Sequence, residues 1–527
     1  MQGMKTRDVI ALAVLFVVGL YVWSLPVQDN PLPFGEGDAA HQYGKADFMA
    51  SFDHVGFDNP PFFYRTWYGS LHPGDESAPI YPPLYFIDLA LVQEFGGDRF
   101  IPKNLLLIIL SSTLGIFAVY FLTRQWYGFW PAVLAGFLMI FSRRDFVSFL
   151  FGQRTILASF ALVPLILYCY YQYTESFLKD HQHAKDAYLY VMAALLAFSG
   201  LIHTQGAFVA VLTLGLYSAY LLWKEKSLPF SWKAMAISIL LFSIIFLPFA
   251  PDLFSQTQAH PGTFHLQRLS SLFRWYEHPT PPSPAFMYTY GGVHGGYWTL
   301  PFLLLGILYL FLKRRNNDML MFFWLLALYL ALHLDVFGFF GGRNDRFLKG
   351  EAELFYPLIA IGFMSLRSYI KIGKRMKAYL SWGLALLFLV LVFSFNAPPV
   401  VDAAKGAYQG IMRITPAQLE AAEWIDANLP TEAMVYYMPS RDDLPDQYRG
   451  WIYQKWRWMQ MLSHRAFHDS LSEYNRSEFT HLIIDFSDLG AMGQQELVNA
   501  LRAASDERFS NKTLLYRKNL IEVYVLG

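Results

Sequence analysis

The sequence is poor in cysteine and in charged residues. Its 527 residues include one cysteine, Cys169, in an apolar stretch, which excludes an intramolecular disulfide and a cysteine-rich metal site. Only 16% of the residues are charged, whereas soluble proteins carry about a quarter. Basic and acidic residues number 41 each, so the chain lacks the net positive charge that would indicate a nucleic-acid partner. Apolar residues are abundant instead, at 54% of the chain.

Apolar stretches recur along the first 400 residues. A helix needs about 20 apolar residues to cross the hydrocarbon core of a membrane, and we expect about eleven transmembrane helices. The first follows Lys5 and Arg7 and is predicted to be an uncleaved membrane helix, with a cleaved signal peptide as the alternative. The predicted spans are 8–24, 101–122, 129–142, 154–173, 188–203, 206–223, 234–250, 297–312, 319–335, 351–368 and 378–396.

Charges in the short connections predict the orientation of these spans. Basic residues concentrate in alternate connections, above all in the KRRNND and KIGKRMK turns, and the positive-inside rule places such turns in the cytoplasm. The amino terminus is then cytoplasmic. The loops 25–100, 142–154 and 251–296 lie on the other side, together with everything after residue 397. We expect an integral protein of a prokaryotic plasma membrane.

The composition changes after residue 397. The stretch ITPAQLEAAEWIDANLP has the apolar spacing of a helix, and AMVYYMP, THLIIDF and LIEVYVLG are typical of short buried strands. We therefore expect a mainly α-helical, polytopic membrane domain over 1–397 and a small extracytoplasmic α/β domain over 398–527. Segment 81–95 is too short and too acidic to span the membrane, which predicts an interfacial helix.

An acidic motif opens the first external loop. Glu36 and Asp38 stand in GEGD, where the glycines allow close backbone approach. In an extended loop both carboxylates can turn toward one ligand, so the pair is a candidate for general-base catalysis or for binding a divalent cation. His41 and Asp47 are weaker candidates nearby. The alternative is a solvated loop with turn-forming residues.

The second external loop contains a further acid. Asp145 lies between two apolar stretches, and a charge at membrane depth costs about 2.5–3.5 kcal/mol. Such a charge is expected to have a partner or a function, and Asp145 is a candidate catalytic residue. The alternative is a local ion pair with Arg143 or Arg144. Arg144 is itself a weaker site candidate.

Basic residues and histidines near the other loops are candidates for substrate contacts. Arg343 and Arg346, in GGRNDRFLKGE, present guanidinium groups that suit a phosphate, with a solvated helix cap as the alternative. His203 interrupts a long apolar run and is a weaker candidate, because a histidine there also satisfies a break between helices. Glu277, in the 251–296 loop, is a weak acidic candidate.

Together these segments resemble the GT-C class of membrane glycosyltransferases, and within it the oligosaccharyltransferase catalytic subunit and its prokaryotic relatives. The resemblance covers the cytoplasmic start, both acidic external loops, the late arginine-bearing turn and the α/β tail. It implies that Glu36, Asp38 and Asp145 serve the reaction centre and that Arg343 or Arg346 holds the lipid phosphate. The chain departs from the family in having Glu-x-Asp for Asp-x-Asp and in lacking WWDYG, which reads the acceptor sequon.

The resemblance implies glycosyl transfer at the extracytoplasmic face. We expect a sugar or glycan to move from a polyprenyl-phosphate-linked donor, of dolichol or undecaprenyl type, to a protein, glycan or glycolipid acceptor. Mg²⁺ or Mn²⁺ held by Glu36, Asp38 and Asp145 is an optional cofactor, since related families divide on metal use. One alternative is a lipid-linked sugar transporter or flippase, although the sequence has no internal repeat and few charges deep in its spans. The other is a catalytically inactive scaffold of the same fold.

Overall fold

The computed structural model describes residues 5–28, 30–35, 37–51, 82–181, 184–249, 289–334, 344–370, 373–405, 413–438, 455–468, 479–491 and 493–526. Its α-helices are α1 (Thr6–Gln28), α2 (Gly37–Ser51), α3 (Leu84–Gly96), α4 (Ile101–Ile109), α5 (Gly115–Tyr127), α6 (Phe129–Ile140), α7 (Arg143–Leu150), α8 (Arg154–Lys179), α9 (Asp186–Ile202), α10 (Thr204–Glu225), α11 (Trp232–Phe246), α12 (Tyr290–Val293), α13 (Leu300–Lys313), α14 (Asn316–Leu332), α15 (Glu351–Tyr369), α16 (Lys374–Phe395), α17 (Ala397–Lys405), α18 (Pro416–Asn428), α19 (Lys455–Ser463), α20 (Ser487–Ala491) and α21 (Gln495–Phe509). A π-helical turn, Leu110–Leu114, joins α4 to α5, and a 3₁₀ helix covers Asn344–Gly350.

Each predicted span coincides with a helix. In the part of the chain that the structure describes, five helical segments are long and apolar enough to cross a membrane: α1, α4 with α5, α8, α10, and α16 with α17. Shorter apolar helices include α9, α11, α13 and α14. Large apolar side chains point outward, such as Val17 on α1 and Ile244 on α11, each 63% exposed, which suits contact with lipid. These helices indicate an integral membrane protein, and the number of spans stays a prediction.

The contacts between helix ends form two groups. At one end, Arg124 of α5 pairs with Asp8 of α1, with 2.6 Å between Nε and Oδ1. At the same end, Lys224 of α10 donates a hydrogen bond to Asn316 of α14. At the other end, α2, the turn between α7 and α8, and the Asn344–Gly350 helix come together. That the basic connections share one end of the bundle and the acidic loops the other stays a prediction.

Helices α13 and α15 pack backbone against backbone. A Cβ atom at Gly306 would collide with the carbonyl group of Leu358, and one at Gly362 with the carbonyl oxygen of Phe302. Small residues allow this close approach between membrane helices. The contact fixes the position of α15, which follows directly from the Asn344–Gly350 helix.

The first external loop contains more regular structure than the sequence suggested. Helix α2 begins at Gly37, so the extended loop that we expected around Asp38 is wrong: this residue lies in the first turn of a helix. Packing explains the helix, because α2 buries Tyr43 completely and lies against α3 and α19. An acid in a first turn also interacts favourably with the helix dipole.

The two other segments near this end are helical as well. The helix predicted at 81–95 is α3, which ends at Gly97 in the left-handed conformation. The second external loop forms α7, and its residues from Arg144 to Leu150 are buried. Burial of α7 between neighbouring helices brings the second loop into the protein interior.

The carboxyl-terminal region contains a five-stranded mixed sheet. Its strands are β1 (Met434–Met438), β2 (Ala466–His468), β3 (His481–Asp485), β4 (Thr513–Lys518) and β5 (Ile521–Val525), in the order β2-β1-β3-β5-β4. Strand β1 pairs in parallel with β2 and β3, whereas β5 runs antiparallel to β3 and β4. The predicted helix at ITPAQLEAAEWIDANLP is α18, and the three predicted strands are β1, β3 and β5. The prediction missed β2 and the largely exposed edge strand β4.

Helix α19 joins the carboxyl-terminal region to the helical bundle. Trp458 donates its indole N–H to the carbonyl oxygen of Gly35 over 2.9 Å. The Trp458 ring also meets the ring of Tyr43 on α2 edge-on, with 5.4 Å between the centroids. Nearby, the amide of Ile414 donates to the carbonyl oxygen of Pro33. The segment that enters α2 is therefore held by residues more than 350 positions away in the chain.

Candidate functional site

The turn between α7 and α8 forms one wall of a cavity next to α2. Gly152 in this turn has a φ angle of +81°, and a Cβ atom there would lie 2.6 Å from the backbone nitrogen of Ala39. Only glycine fits both the left-handed backbone and the close approach. Gln42 of α2 donates from Nε2 to the carbonyl oxygen of Gly152 over 2.6 Å, which fixes the turn against the helix.

Arg154 holds the start of α8 to the segment that precedes α2. Its guanidinium group is fully buried and donates to the carbonyl oxygens of Phe34, over 2.7 Å, and Phe149, over 3.1 Å. The guanidinium carbon also lies 4.4 Å from the centroid of the Phe34 ring. Arg154 therefore has a positioning role that its hydrogen bonds and ring contact explain.

The Asn344–Gly350 helix forms the opposite wall. Arg346 lines the cavity, and Lys349, one 3₁₀ turn later, donates a hydrogen bond to Oε1 of Gln153. Arg144 of α7 anchors this helix, because its Nη1 atom donates to the carbonyl oxygen of Leu348 over 2.6 Å. Arg144 is engaged in this way with backbone and with the carboxylate of Glu351.

These walls line a narrow, partly open cavity. Four of the residues that the sequence singled out contribute to it: Asp38, His41, His203 and Arg346. The other residues that line the cavity were not predicted from the sequence: Gln42, Phe86, Gly152, Gln153, Thr155 and Ile156. One signal for Gln153 was available, since FGQRTIL places polar residues inside an apolar stretch.

The cavity combines opposite charges with a neutral imidazole. Asp38 and Arg346 bring one carboxyl and one guanidinium group to the same space. Burial, followed by the positive charges of Lys45 and Arg457, holds the pKa of His41 well below its ordinary value, so its ring is neutral at neutral pH. Burial also lowers the pKa of Lys45 to about 8. A site of this composition can bind an anion beside a group that accepts a proton.

His203 has a structural role and also faces the cavity. It lies between α9 and α10, where its Nδ1 atom accepts a hydrogen bond from the amide of Gln205 over 3.3 Å. Its carbonyl oxygen accepts from the hydroxyl of Ser159. The histidine therefore satisfies the helix break, as the alternative reading proposed.

Asp145 lies in a buried cluster outside the residues that line the cavity. It is 4% exposed, and burial raises its pKa to about 7. Its neighbours include Arg144 and Glu351, whose charges shift the pKa of Asp145. The charge of Asp145 acts in turn on Glu353. Among the described residues Asp145 forms no ion pair, because Arg144 pairs with Glu351 instead. Glu351 and Glu353 were not predicted as part of this cluster.

Asp47 is part of an ion-pair cluster that packs α2 against α4. Its Oδ1 atom lies 2.6 Å from Nζ of Lys103 and its Oδ2 atom 2.8 Å from Nη2 of Arg99. Asp47 and Lys103 are both almost completely buried. The structure thus gives Asp47 a packing role away from the cavity-lining residues.

Three predicted site residues, Glu36, Arg343 and Glu277, lie outside the described residues. Within the described part of the chain, no three His, Cys, Asp or Glu side chains are grouped so that they could hold a metal ion. The described residues do not fit a metal centre, since Asp38 and Asp145 do not line the same cavity. The predicted set of Glu36, Asp38 and Asp145 remains a prediction, and the chemistry below uses no metal-bound step.

Comparison with known proteins places this architecture among solved structures. No protein-family model and no curated protein sequence matches the chain. ArnT from Cupriavidus metallidurans, in the apo state, matches with a TM-score of 0.55 and 12% identity over 99% of this chain and 98% of ArnT. The Archaeoglobus fulgidus oligosaccharyltransferase in the apo form matches with a TM-score of 0.60 and 13% identity, over 90% of this chain and 69% of that chain.

The chain has a GT-C-like fold. A third match, the Archaeoglobus fulgidus oligosaccharyltransferase AglB in complex with an inhibitory peptide and a dolichol-phosphate, gives a TM-score of 0.52 at 13% identity, over 92% of this chain and 70% of AglB. ArnT has likewise been crystallised with undecaprenyl phosphate. At these identities the structural similarity establishes the fold alone. The roles of individual residues are therefore inferred from the geometry of the cavity.

Proposed function

We propose that this protein is a membrane glycosyltransferase. It transfers a sugar or glycan from a polyprenyl-phosphate-linked donor to an acceptor at the extracytoplasmic face. The observation that carries the proposal is the cavity that Asp38 and Arg346 both line. The GT-C-like fold supports the reaction class, and the lipid phosphates bound by ArnT and AglB support the donor class.

The charges of the cavity suit the two groups that react, the acceptor and the departing lipid phosphate. The acceptor attacks the anomeric carbon, the bond from that carbon to the phosphate oxygen breaks, and the lipid phosphate leaves with the bonding electrons. Asp38 receives the acceptor's proton as general base, and Arg346 neutralises the charge that develops on the phosphate. Arg343 and Glu36 are proposed to assist at the phosphate and the acceptor. Asp145 is proposed to support the same centre from its buried cluster.

The proposed orientation follows from the two groups of helix ends. The end with the basic connections is cytoplasmic by the positive-inside rule. The cavity and the α/β domain over 398–527 are then extracytoplasmic, with eleven spans between 1 and 397. A polyprenyl tail remains in the lipid while its phosphate reaches the cavity at the membrane surface.

A transporter or flippase is less well supported by the positions of the buried charges. The structure buries more charged side chains than the sequence suggested. Lys103, Arg154 and Glu351 nevertheless occur in the first turn of α4, α8 and α15, respectively. Charges at helix ends suit a site at the surface, whereas a carrier binds its substrate near the bilayer midplane.

The test compares wild type with Asp38→Asn, purified in detergent and supplied with radiolabelled polyprenyl-linked sugar and a membrane extract that provides the acceptor. General-base catalysis contributes about 10²- to 10⁴-fold, so we expect Asp38→Asn to lower release of the label from the lipid by at least about 100-fold. Asp402→Asn, an exposed site on α17, is the matched control. Parallel reactions with Mn²⁺ and with a chelator test the optional metal.

Equal release by wild type and Asp38→Asn would remove Asp38 from the mechanism. Saturable lipid binding without release by wild type would favour the transporter or the inactive scaffold. Each variant is first compared with wild type by thermal unfolding, so that a loss of activity reflects chemistry.

A further inference from the structure

Two glutamines line the cavity, and one of them, Gln42, presents an oxygen atom. Its Nε2 atom donates to the carbonyl oxygen of Gly152 over 2.6 Å. A carbonyl oxygen only accepts, so the nitrogen of the amide must face Gly152 and the oxygen must face away. The side chain is 4% exposed, and its Oε1 atom is buried without a hydrogen-bond partner among the described residues. A buried acceptor in this state can accept a hydrogen bond from a ligand.

The second glutamine, Gln153, is held in the opposite sense. Its Oε1 atom accepts a hydrogen bond from Nζ of Lys349. A lysine ammonium group only donates, so the oxygen must face Lys349, and the Nε2 atom is turned away from this lysine. In the part of the chain that the structure describes, this nitrogen donates to no other residue.

The two amides therefore offer complementary atoms to one ligand. Phosphate oxygens only accept hydrogen bonds, whereas a sugar hydroxyl donates one readily. Arg346 and Lys349 are three residues apart on a 3₁₀ helix, where side chains at i and i+3 lie on the same face. Gln153 is thus next to the cationic side of the cavity. Gln42 lies on α2, one turn after Asp38.

We propose that Gln153 donates a hydrogen bond to the phosphate of the lipid-linked donor and that Gln42 accepts one from a hydroxyl of the glycosyl group. Lys349 is a positioning residue that fixes the orientation of the Gln153 amide. This inference rests on the proposed function and adds a substrate requirement to it. The transferred sugar must carry a free hydroxyl group that reaches Gln42 when its phosphate lies at Gln153.

Four substitutions separate these roles. Gln153→Met removes the donor without adding charge, and Gln153→Glu keeps the contact with Lys349 while it replaces the donor by an acceptor. Gln42→Met removes the buried acceptor. Lys349→Met releases the Gln153 amide. Thr204→Glu, at the exposed first position of α10, is the control for an added negative charge near the cavity.

The first measurement is the affinity of the full-length protein in detergent for undecaprenyl phosphate and dolichyl phosphate, with undecaprenol as the probe that lacks phosphate. A hydrogen bond to a charged group supports a loss of about 10-fold or more, and we expect this for both Gln153→Met and Gln153→Glu. Gln42→Met should change the affinity by less than about 2-fold but lower kcat/KM for label release by about 10-fold. Lys349→Met should weaken lipid-phosphate binding when it is introduced into wild type. It should have no further effect when it is introduced into Gln153→Met.

Phosphate affinity unchanged in Gln153→Met would overturn the assignment, as would a loss confined to Gln153→Glu and matched by Thr204→Glu. Additive losses for Gln153→Met and Lys349→Met would mean that Lys349 contacts the phosphate itself. A Gln42→Met variant with weakened phosphate binding or with unchanged label release would overturn the role of Gln42. If wild type binds neither lipid phosphate better than undecaprenol, the proposed function fails as well. If wild type prefers the lipid phosphates and Gln153→Met binds them equally well, only the assignment of Gln153 fails.

Discussion

The close contact between Gly152 and α2 makes Gly152→Ala a sharp test of how the cavity is built. An alanine in the left-handed region costs about 1–2 kcal/mol. Its Cβ atom would also lie 2.6 Å from the nitrogen and 3.0 Å from the Cα atom of Ala39. These are backbone atoms of α2, so no side-chain rotation relieves the overlap. Either the helix or the turn must move, and the hydrogen bond from Gln42 is lost.

The expected cost follows from these contributions. Buried polar groups left unpaired add about 1–3 kcal/mol, so Gly152→Ala should destabilise the fold by about 2–5 kcal/mol in total. Gly97→Ala is the control, because Gly97 also has a positive φ angle, +63°, but a Cβ atom there has no neighbour within 4 Å. This control should cost about 1–2 kcal/mol, from backbone strain alone.

Unfolding by SDS in mixed micelles measures both variants, and label release is assayed on the folded fraction. Movement of α2 displaces Asp38, so we expect release by folded Gly152→Ala to fall while Gly97→Ala keeps the wild-type rate. If the two variants lose equal stability and retain equal activity, the close approach of the turn to α2 does not hold the site together.

Two further predictions concern buried charges. Asp47→Asn should destabilise the protein by about 3–5 kcal/mol, because it leaves the buried ammonium of Lys103 without its charged partner. Arg99→Ala removes a partly exposed partner of Asp47 and should cost less than about 1 kcal/mol in the same SDS titration. Similar losses of stability in the two variants would contradict the assignment. Burial raises the pKa of Asp488 to about 6, above its unfolded value of 3.8, so this group makes stability fall as pH rises from about 4 to 6. Asp488→Asn should flatten the pH dependence of the unfolding midpoint in that window, and an unchanged slope would show that Asp488 does not titrate there.

Helices were easier to predict from the sequence than their roles. Each apolar stretch is a helix because lipid offers no hydrogen-bond partners to the backbone, so an apolar segment must satisfy its own. Helix α2 escaped this reasoning, since its sequence GDAAHQYGKADFMAS carries little apolar periodicity. Its helical form depends on burial against α3 and α19, which no local pattern reveals. Strand β4 was missed for a related reason: its side chains are mostly exposed.

The candidate site was predictable only in part. Asp38 stood out through the GEGD motif, Arg346 through a guanidinium group that suits a phosphate, and His203 because it interrupts a long apolar run. Asp47 was a weaker candidate near the GEGD motif, but its partner Lys103 is 56 positions away, and the sequence does not show that pairing. Neither Gln42 nor Gln153 carries a charge, and the polar interruption at Gln153 in FGQRTIL does not reveal what the residue does. Their importance lies in which amide atom is already bonded, and that depends on Gly152 and Lys349.

The bond between Trp458 and Gly35 has a consequence for how the protein is made. It joins residues 423 positions apart in the chain, and α2 rests on the helix that contains Trp458. During synthesis the membrane helices enter the bilayer well before residues 455–463 leave the ribosome. The wall that carries Asp38 therefore acquires its support only near the end of translation. A nascent chain released before α19 would have its bundle inserted and its cavity unfinished.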